Sequence, residues 1–214
     1  MAGIREAPVR GSYRHGELRK ALIEAGLSMA AAGGGPKAVV LREATRRAGV
    51  SPNAAYRHFT DRQALLVAVS AAAQAKVADR IQQELDRTDS VDDATATARN
   101  RLRAIGLGYL AFAREQPGLF RVAFTVPDDM SRATDPSKAG TAGFTPFQLL
   151  ADALDGLVAA GALPTERRAN AEFLAWSAVH GLAMLVIDGP LRGLDDSLAD
   201  ATTQRLLTMV DRGL

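Results

Sequence analysis

The sequence has no cysteine and few aromatic residues. Of its 214 residues none is Cys, and 5% are Phe, Trp or Tyr. Without thiols the chain forms no disulfides, thiolate zinc sites or iron–sulfur clusters, and it holds no cysteine nucleophile. Its hydrophobic fraction of 47% is too high for a disordered chain, and its length suffices for one or two domains with a buried core.

A long hydrophobic run is missing too. The most apolar stretch, residues 174–187, contains a histidine and a glycine and is shorter than the roughly 20 residues that a spanning helix needs. Near the N-terminus, charged residues and Pro8 stand where a signal peptide has its apolar segment. We therefore expect a cytoplasmic protein that has no membrane partner.

Strand and enzyme patterns are also scarce. The sequence has no sustained alternation of β-branched and polar residues, and no Asn-Gly or Asp-Gly hairpin turn. The three histidines, His15, His58 and His180, are far apart, and the glycines 33–35 are not followed by the Lys-Ser/Thr of a phosphate-binding loop. We expect a protein that is not an enzyme and has no catalytic residues, no cofactor and no metal site.

The charge is unevenly distributed along the chain. Residues 1–60 carry ten Lys and Arg against four Glu, a net charge of +6, whereas residues 61–214 carry a net charge of −4. A basic N-terminal third on a mildly acidic remainder indicates a module that binds a polyanion such as nucleic acid. The alternative is a basic N-terminus that is merely solvated.

Helical patterns fill the rest of the sequence. Apolar residues recur at spacings of three and four, and Gly and Pro mark the stops, which predicts an all-α fold of about nine helices. The predicted helices cover about residues 13–32, 40–48, 51–59, 61–86, 91–116, 117–124, 145–160, 165–187 and 197–212. We expect a flexible basic tail over residues 1–11 and a long loop over residues 125–142.

Two short predicted helices are joined by a four-residue turn, Ala48-Gly49-Val50-Ser51. Gly49 permits the sharp backbone turn, and Ser51 followed by Pro52 suits the start of a helix, with Ser51 as the side-chain cap. Thr60 and Gln63 have the spacing of a capping box for the following helix. This arrangement predicts a helix–turn–helix whose second helix, residues 51–59, enters the major groove of DNA.

At these residues the sequence resembles the TetR family of transcriptional regulators. The resemblance rests on Arg42, residues 48–51, the run Tyr56-Arg57-His58-Phe59 and the run Arg62-Gln63-Ala64-Leu65. Three features depart from the family pattern: Val40 replaces a Thr, Ala44-Thr45 replaces an Ile-Ala pair, and Arg62 replaces a Lys. A second, weaker resemblance to one C-terminal subclass rests on Trp176…His180-Gly181 and on residues 112–124.

The resemblance implies an N-terminal helix–turn–helix DNA-binding domain over residues 12–60. A helical-bundle domain for effector binding and dimerisation follows over residues 61–214. It further implies a ligand-responsive repressor that binds a palindromic double-stranded DNA operator as a homodimer. A small hydrophobic effector would release it. An activator, an effector-independent regulator and a helical interaction protein without DNA binding remain the alternatives.

The candidate DNA contacts fall into two groups. On the second helix, Asn53 is placed to bond an adenine or only water, and the ring of Tyr56 to reach a phosphate or only to pack. The remaining candidates cap the helix, lie close to the bases or carry charges that neutralise phosphates. For Arg46, as for its neighbour Arg47, the alternative is a solvated helix face without a DNA contact. The complete predicted set is Arg14, Arg42, Arg46, Ser51, Pro52, Asn53, Ala54, Tyr56, His58, Thr60 and Arg62.

The second domain supplies candidate ligand and dimer residues. Bulky side chains line a predicted pocket, and His180, four residues after Trp176, is placed to bond an effector or a backbone carbonyl. The predicted ligand residues are Phe112, Phe120, Phe124, Phe147, Trp176, His180 and Met184. The predicted dimer residues are Ala175, Val179, Ala183, Val186, Leu198, Leu206, Met209 and Val210.

Overall fold

A computed structural model describes residues 15–214, with the side chain of His15 excepted. Across this part of the chain every regular element is helical, which confirms the all-α prediction. The predicted tail 1–11, the DNA contact predicted for Arg14 and the side chain of His15 lie outside the described residues. None of the described helices is both long and apolar enough to span a membrane.

The first helices form a head on the molecule. Helix α1 covers His15–Met29 and runs into a π-helical turn at Ala30–Gly34, where Gly33 has φ 104°. Since Gly33 is the first residue with non-helical dihedral angles, the helical backbone ends near Ala32, where the sequence predicts the stop. The remaining helices of the head are α2 Gly35–Ala38, which the sequence did not predict, α3 Leu41–Arg47 and α4 Pro52–Tyr56.

The later helices of the described chain form the body of the molecule. They are α5 Arg62–Asp86, α6 Ala94–Glu115, α7 Pro117–Thr125, α8 Pro146–Ala159, α9 Thr165–Arg168, α10 Ala171–Ile187 and α11 Asp196–Gly213. The predicted long loop between α7 and α8 contains two short 3-10 turns, Met130–Arg132 and Pro136–Lys138.

Two predictions about helix ends differ from the structure, one because of a hydrogen bond and the other because of a backbone conformation. The carboxylate of Asp61, and not the hydroxyl of Thr60, accepts the amide of Ala64 at 2.8 Å, so the capping box predicted at Thr60 is wrong. Asn170 lies in the left-handed region with φ 62°. This residue breaks the helix predicted over residues 165–187 into α9 and α10.

Helix α5 is the central element of the core. Its residues Leu65, Val69, Val77 and Ile81 are fully or almost fully buried, and it packs against α1, α6, α7 and α8. Each such aliphatic side chain contributes about 1.5–3 kcal/mol when it is buried. The buried residues form one continuous apolar cluster that begins at Leu18 and includes Leu214.

Helix α7 is, beside α5, a contact between the head and the body. It packs against the π-helical turn and α2, and a Cβ on Gly118 would overlap the carbonyl oxygen of Ala30. Only glycine permits so close an approach of two backbones. At the same helix Arg121 pairs with Asp188 at the end of α10, at 2.7 Å. Helix α7 therefore contacts both the head and the end of α10.

Candidate nucleic-acid interface and ligand cavity

The turn between α3 and α4 has the geometry that the sequence predicts. Gly49 has φ 67°, and the amide of Val50 bonds the carbonyl of Thr45 at 3.1 Å. Ala44 in α3 and Ala55 in α4 are both fully buried, and their small side chains let the two helices pack closely. The replacement of a larger family residue by Ala44 is thus accommodated at the centre of the helix–turn–helix.

The outer side of α4 consists of exposed side chains. Ser51, Pro52 and Asn53 are exposed, and Tyr56 keeps 55% of its surface. Ser51 occupies the N-cap position, but its side chain accepts no capping bond, so that part of its predicted role is wrong. The other two predicted contacts of this segment are half-buried; they are Ala54 and His58. The contacts of all these residues with DNA stay predictions.

Cationic side chains flank this surface on α3. The guanidinium of Arg46, 73% exposed, donates two bonds to Glu43 at 2.7 and 2.8 Å, and Arg47 donates a third at 2.8 Å. These hydrogen bonds lower the pKa of the Glu43 carboxyl to about 2. Arg42 is exposed and has no ion-pair partner among the described residues. One carboxylate therefore holds two of the three cations on this helix.

Arg62 and Thr60 occupy the start of α5. The guanidinium of Arg62 donates to the carbonyls of Val39 at 2.7 Å and Pro36 at 2.6 Å, which ties α5 to the segment between α2 and α3. Thr60 is exposed. These bonds join α5 to the head, and the phosphate contact of exposed Arg62 stays a prediction.

A cavity of about 1000 Å³ lies among α5, α6, α7, α8, α10 and α11. Phe124, Phe147, Trp176 and His180 line it, as predicted. The other three predicted ligand residues do not: Phe112 and Phe120 are buried in the core behind the cavity wall, and half-buried Met184 packs against that core. Phe120 stands directly behind the lining residue His180, on which its ring stacks.

Tyr109 organises the aromatic end of the cavity. The indole N–H of Trp176 donates to the Tyr109 hydroxyl at 3.0 Å, and that hydroxyl lies 2.9 Å from Nδ1 of His180. The tyrosine oxygen accepts the indole proton, and we assign its own proton to the hydrogen bond with Nδ1. His180 is then neutral with its hydrogen on Nε2, which agrees with burial lowering the pKa of His180. Burial likewise raises the pKa of Tyr109.

The sequence reasoning missed Tyr109 and the charged residues of the cavity. Arg99 and Arg103 stand on the same face of α6, four residues apart, and Lys138 lies in the loop beyond α7. The spacing of these residues was a usable signal. Positions 99, 103, 106 and 109 recur at helical intervals, so two arginines, a glycine and a tyrosine share one face of α6.

The predicted dimer residues divide into inner and outer positions. Ala175, Val179 and Ala183 are buried within the chain, so their predicted interface role is corrected; Ala175 and Val179, together with half-buried Val210, line the cavity. Leu198 and Met209 on α11 are exposed, and Val186 and Leu206 are half-buried. On α10 the exposed apolar side chains are instead Phe173, Leu174 and Leu185, one or two positions from the predicted stripe.

Comparison with known proteins places two family profiles on the chain. The profile described as "Bacterial regulatory proteins, tetR family" matches residues 22–69, and "Tetracyclin repressor-like, C-terminal domain" matches residues 102–210. The second match alone covers half of the chain. A search of curated proteins found none that is significantly similar to this chain.

The fold is shared with solved structures, of which two illustrate the similarity. A protein with unknown function from Rhodococcus sp. RHA1 is 26% identical, with a TM-score of 0.70 over 95% of this chain and 98% of that one. A TetR family transcription regulator from Marinobacter aquaeolei VT8 is 20% identical, with a TM-score of 0.51 over 91% of this chain and 94% of that one.

Proposed function

Because the chain belongs to the TetR family of DNA-binding transcriptional regulators, we propose that it is a repressor whose effector acts from the cavity of the body. It binds a palindromic operator as a homodimer through α4, and a small hydrophobic effector releases it. The observation that carries this proposal is the outward face of α4, where Asn53 and Tyr56 are exposed on a buried helix–turn–helix scaffold. Side chains so placed can reach base edges and phosphates.

The apolar outer faces of α10 and α11 support the homodimer. Leu174 is 65% exposed and Met209 is 59% exposed, and Phe173, Leu185 and Leu198 extend the same kind of surface. Exposed apolar patches of this kind mark association surfaces. A two-fold axis through these helices would present two copies of α4 to successive major grooves of a palindrome.

Helix α7 supports the coupling between effector and DNA. Its residues Ala123 and Phe124 line the cavity, whereas Gly118, near its other end, contacts the backbone of Ala30. An effector that favours one position of α7 thereby favours one orientation of the head. A coupling free energy of about 1–3 kcal/mol changes the DNA affinity about 5- to 150-fold.

The proposed domain boundary lies after residue 60. Residues 12–60 bind DNA, and residues 61–214 bind the effector and form the dimer. The family consists of regulators and not of enzymes, and the described residues contain no cluster of His, Asp and Glu suited to a metal ion. We therefore propose a protein without catalytic activity or cofactor. An activator would bind the same DNA, and a helical interaction protein would bind none.

Fluorescence anisotropy of labelled promoter DNA tests the proposal. Wild-type protein is titrated at several salt concentrations beside Tyr56→Ala and a control variant of the body, Glu115→Gln, whose residue is the last of α6. We expect sequence-preferring binding that weakens with salt, and at least about tenfold weaker binding by Tyr56→Ala alone. Binding without sequence preference, or equal binding by Tyr56→Ala, would contradict the regulator assignment.

A further inference from the structure

Arg103 is a cation in the wall of the cavity whose charge is left unbalanced. It is half-buried on α6, and none of the described residues forms an ion pair or hydrogen bond with its guanidinium. The other two cations of the described wall are neutralised, since Arg99 pairs with Asp211 at 2.7 Å and buried Lys138 pairs with Asp128. A partly desolvated charge left without a partner is unfavourable, and a ligand anion would offset this cost.

The carboxylates around the cavity do not provide that partner. Asp211 and Asp128 are already paired with Arg99 and Lys138. Asp129 is exposed to solvent in the loop after α7 and accepts the backbone amide of Ser131 at 2.7 Å. Water screens its charge much more than that of half-buried Arg103. The unbalanced charge inside the cavity is therefore positive.

A second polar group lies at the other end of the same wall. His180 uses Nδ1 for the Tyr109 hydroxyl, and its Nε2–H has no protein acceptor in the described part of the chain. Arg103 and Tyr109 are six residues apart on α6, which is about 9 Å along the helix axis. Phe124, Phe147 and Trp176 give the same cavity an apolar wall, with Phe124 and Trp176 beside His180.

We propose that the effector cavity binds an amphipathic carboxylate, with the carboxylate on Arg103, an apolar body against the aromatic wall, and a hydrogen-bond acceptor at Nε2–H of His180. This inference rests on the proposed function only for the consequence of binding. The binding itself is a property of the cavity. A guanidinium binds a carboxylate through two parallel hydrogen bonds, which an ester or a primary amide does not match.

Trp176 provides a direct readout that involves no DNA. It is the only tryptophan of the chain and lies in the cavity wall, so its fluorescence reports occupancy. The probes are decanoate, its neutral analogue decanamide, and 10-hydroxydecanoate, whose hydroxyl adds an acceptor. We expect the two carboxylates to change the Trp176 emission at concentrations at least about tenfold lower than decanamide.

Three variants separate the charge of Arg103 from its packing. Arg103→Gln is expected to weaken carboxylate binding at least about tenfold, whereas Arg103→Lys keeps the preference for the carboxylate. The matched control is Arg101→Gln, which removes an arginine from the same helix. Arg101 does not line the cavity and forms an ion pair of 3.5 Å with Asp152, so we expect this variant to leave probe binding unchanged. A further variant tests His180: 10-hydroxydecanoate is expected to bind the wild type more tightly than decanoate does, and His180→Phe, which lacks the Nε2–H donor, is expected to bind the two equally. Thermal unfolding of each variant verifies that it folds.

Two results would overturn the inference. One is equal binding of decanamide and decanoate, with no effect of Arg103→Gln. The other is the absence of any Trp176 response to both carboxylates in the folded wild-type protein. Either result leaves the proposed regulator intact if the protein still selects a DNA sequence. Conversely, carboxylate binding without sequence-preferring DNA binding would support the cavity assignment and contradict the proposed function.

Discussion

The head and the body of this molecule carry their proposed functional residues in opposite ways. In the head, Asn53 and Tyr56 project from a five-residue helix into solvent. In the body, Tyr109 of α6 meets Trp176 and His180 of α10 around a cavity inside the fold. The head therefore depends on what its surface can contact, and the body depends on how its core is packed.

Because of this difference, we expect substitutions in the two regions to change different properties of the protein. A residue on the head's outer face contributes little to folding, so its replacement should change DNA affinity alone. A residue near the cavity belongs to the continuous core, so its replacement should change stability together with ligand binding. Helix α7 contacts both regions and should show both effects.

Phe120→Ala is expected to give the largest stability loss. The side chain is fully buried and its ring stacks on His180 with centroids 5.7 Å apart. Its loss should lower the free energy of unfolding by about 3–5 kcal/mol. Tyr56→Ala, on the exposed side of α4, should change it by no more than about 0.5 kcal/mol. Urea denaturation measures both, and similar losses for the two variants would remove the contrast between head and body.

Gly118→Ala should affect the contact between the two regions. The added Cβ would overlap the carbonyl of Ala30 and force α7 and the head apart. We expect a stability loss of about 1–3 kcal/mol together with a weaker effect of ligand on DNA binding. The control is Gly156→Ala in α8, where a Cβ meets nothing within 4 Å. Full ligand response in a destabilised Gly118→Ala protein would show that α7 is not the coupling element.

Glu43→Gln should strengthen DNA binding without changing the body. It frees the Arg46 and Arg47 side chains, whose bonds lower the pKa of Glu43 to about 2. We expect about threefold to tenfold higher affinity and a steeper dependence on salt. Glu115→Gln, which removes a partner of Arg80 in the body, is the control. Unchanged affinity in Glu43→Gln, measured by anisotropy, would indicate that this side of α3 does not face DNA.

The smallest expected effect is the pH dependence that His180 gives to the body. Because burial lowers the pKa of His180 in the folded protein, its contribution to stability is complete above the ordinary value of 6.5 and is lost as the pH falls below it. The thermal midpoint of the wild type should therefore decrease more between about pH 7.5 and 5.5 than that of His180→Gln. Parallel decreases would mean that His180 does not titrate differently on folding.

The sequence predicted the head better than the body. The turn at Gly49 and the exposed α4 depend on residues close together in the chain, and local spacing determines them. For the cavity, the residue types were visible but their direction was not. On α10 the inward face carries Ala175 and Val179, whereas Leu174 and Leu185 face outward, and an apolar helix of this kind has no polar stripe to mark the difference.

Two tertiary effects also escaped prediction. The break at Asn170 requires a left-handed residue that the sequence pattern does not mark, and Asp61 competed with Thr60 for the cap of α5. The bonds of Arg62 to Val39 and Pro36 join segments more than twenty residues apart. Such partners become visible only once the chain is folded.

Selection of preferred sites from random double-stranded DNA by the purified protein tests the central claim most directly. The account predicts that the wild type recovers a two-fold symmetric sequence, and that Asn53→Ala loses preference at one position in each half of it. Recovery of no common sequence, or an identical sequence preference in Asn53→Ala and in the wild type, would contradict the assignment of α4 as the element that reads DNA.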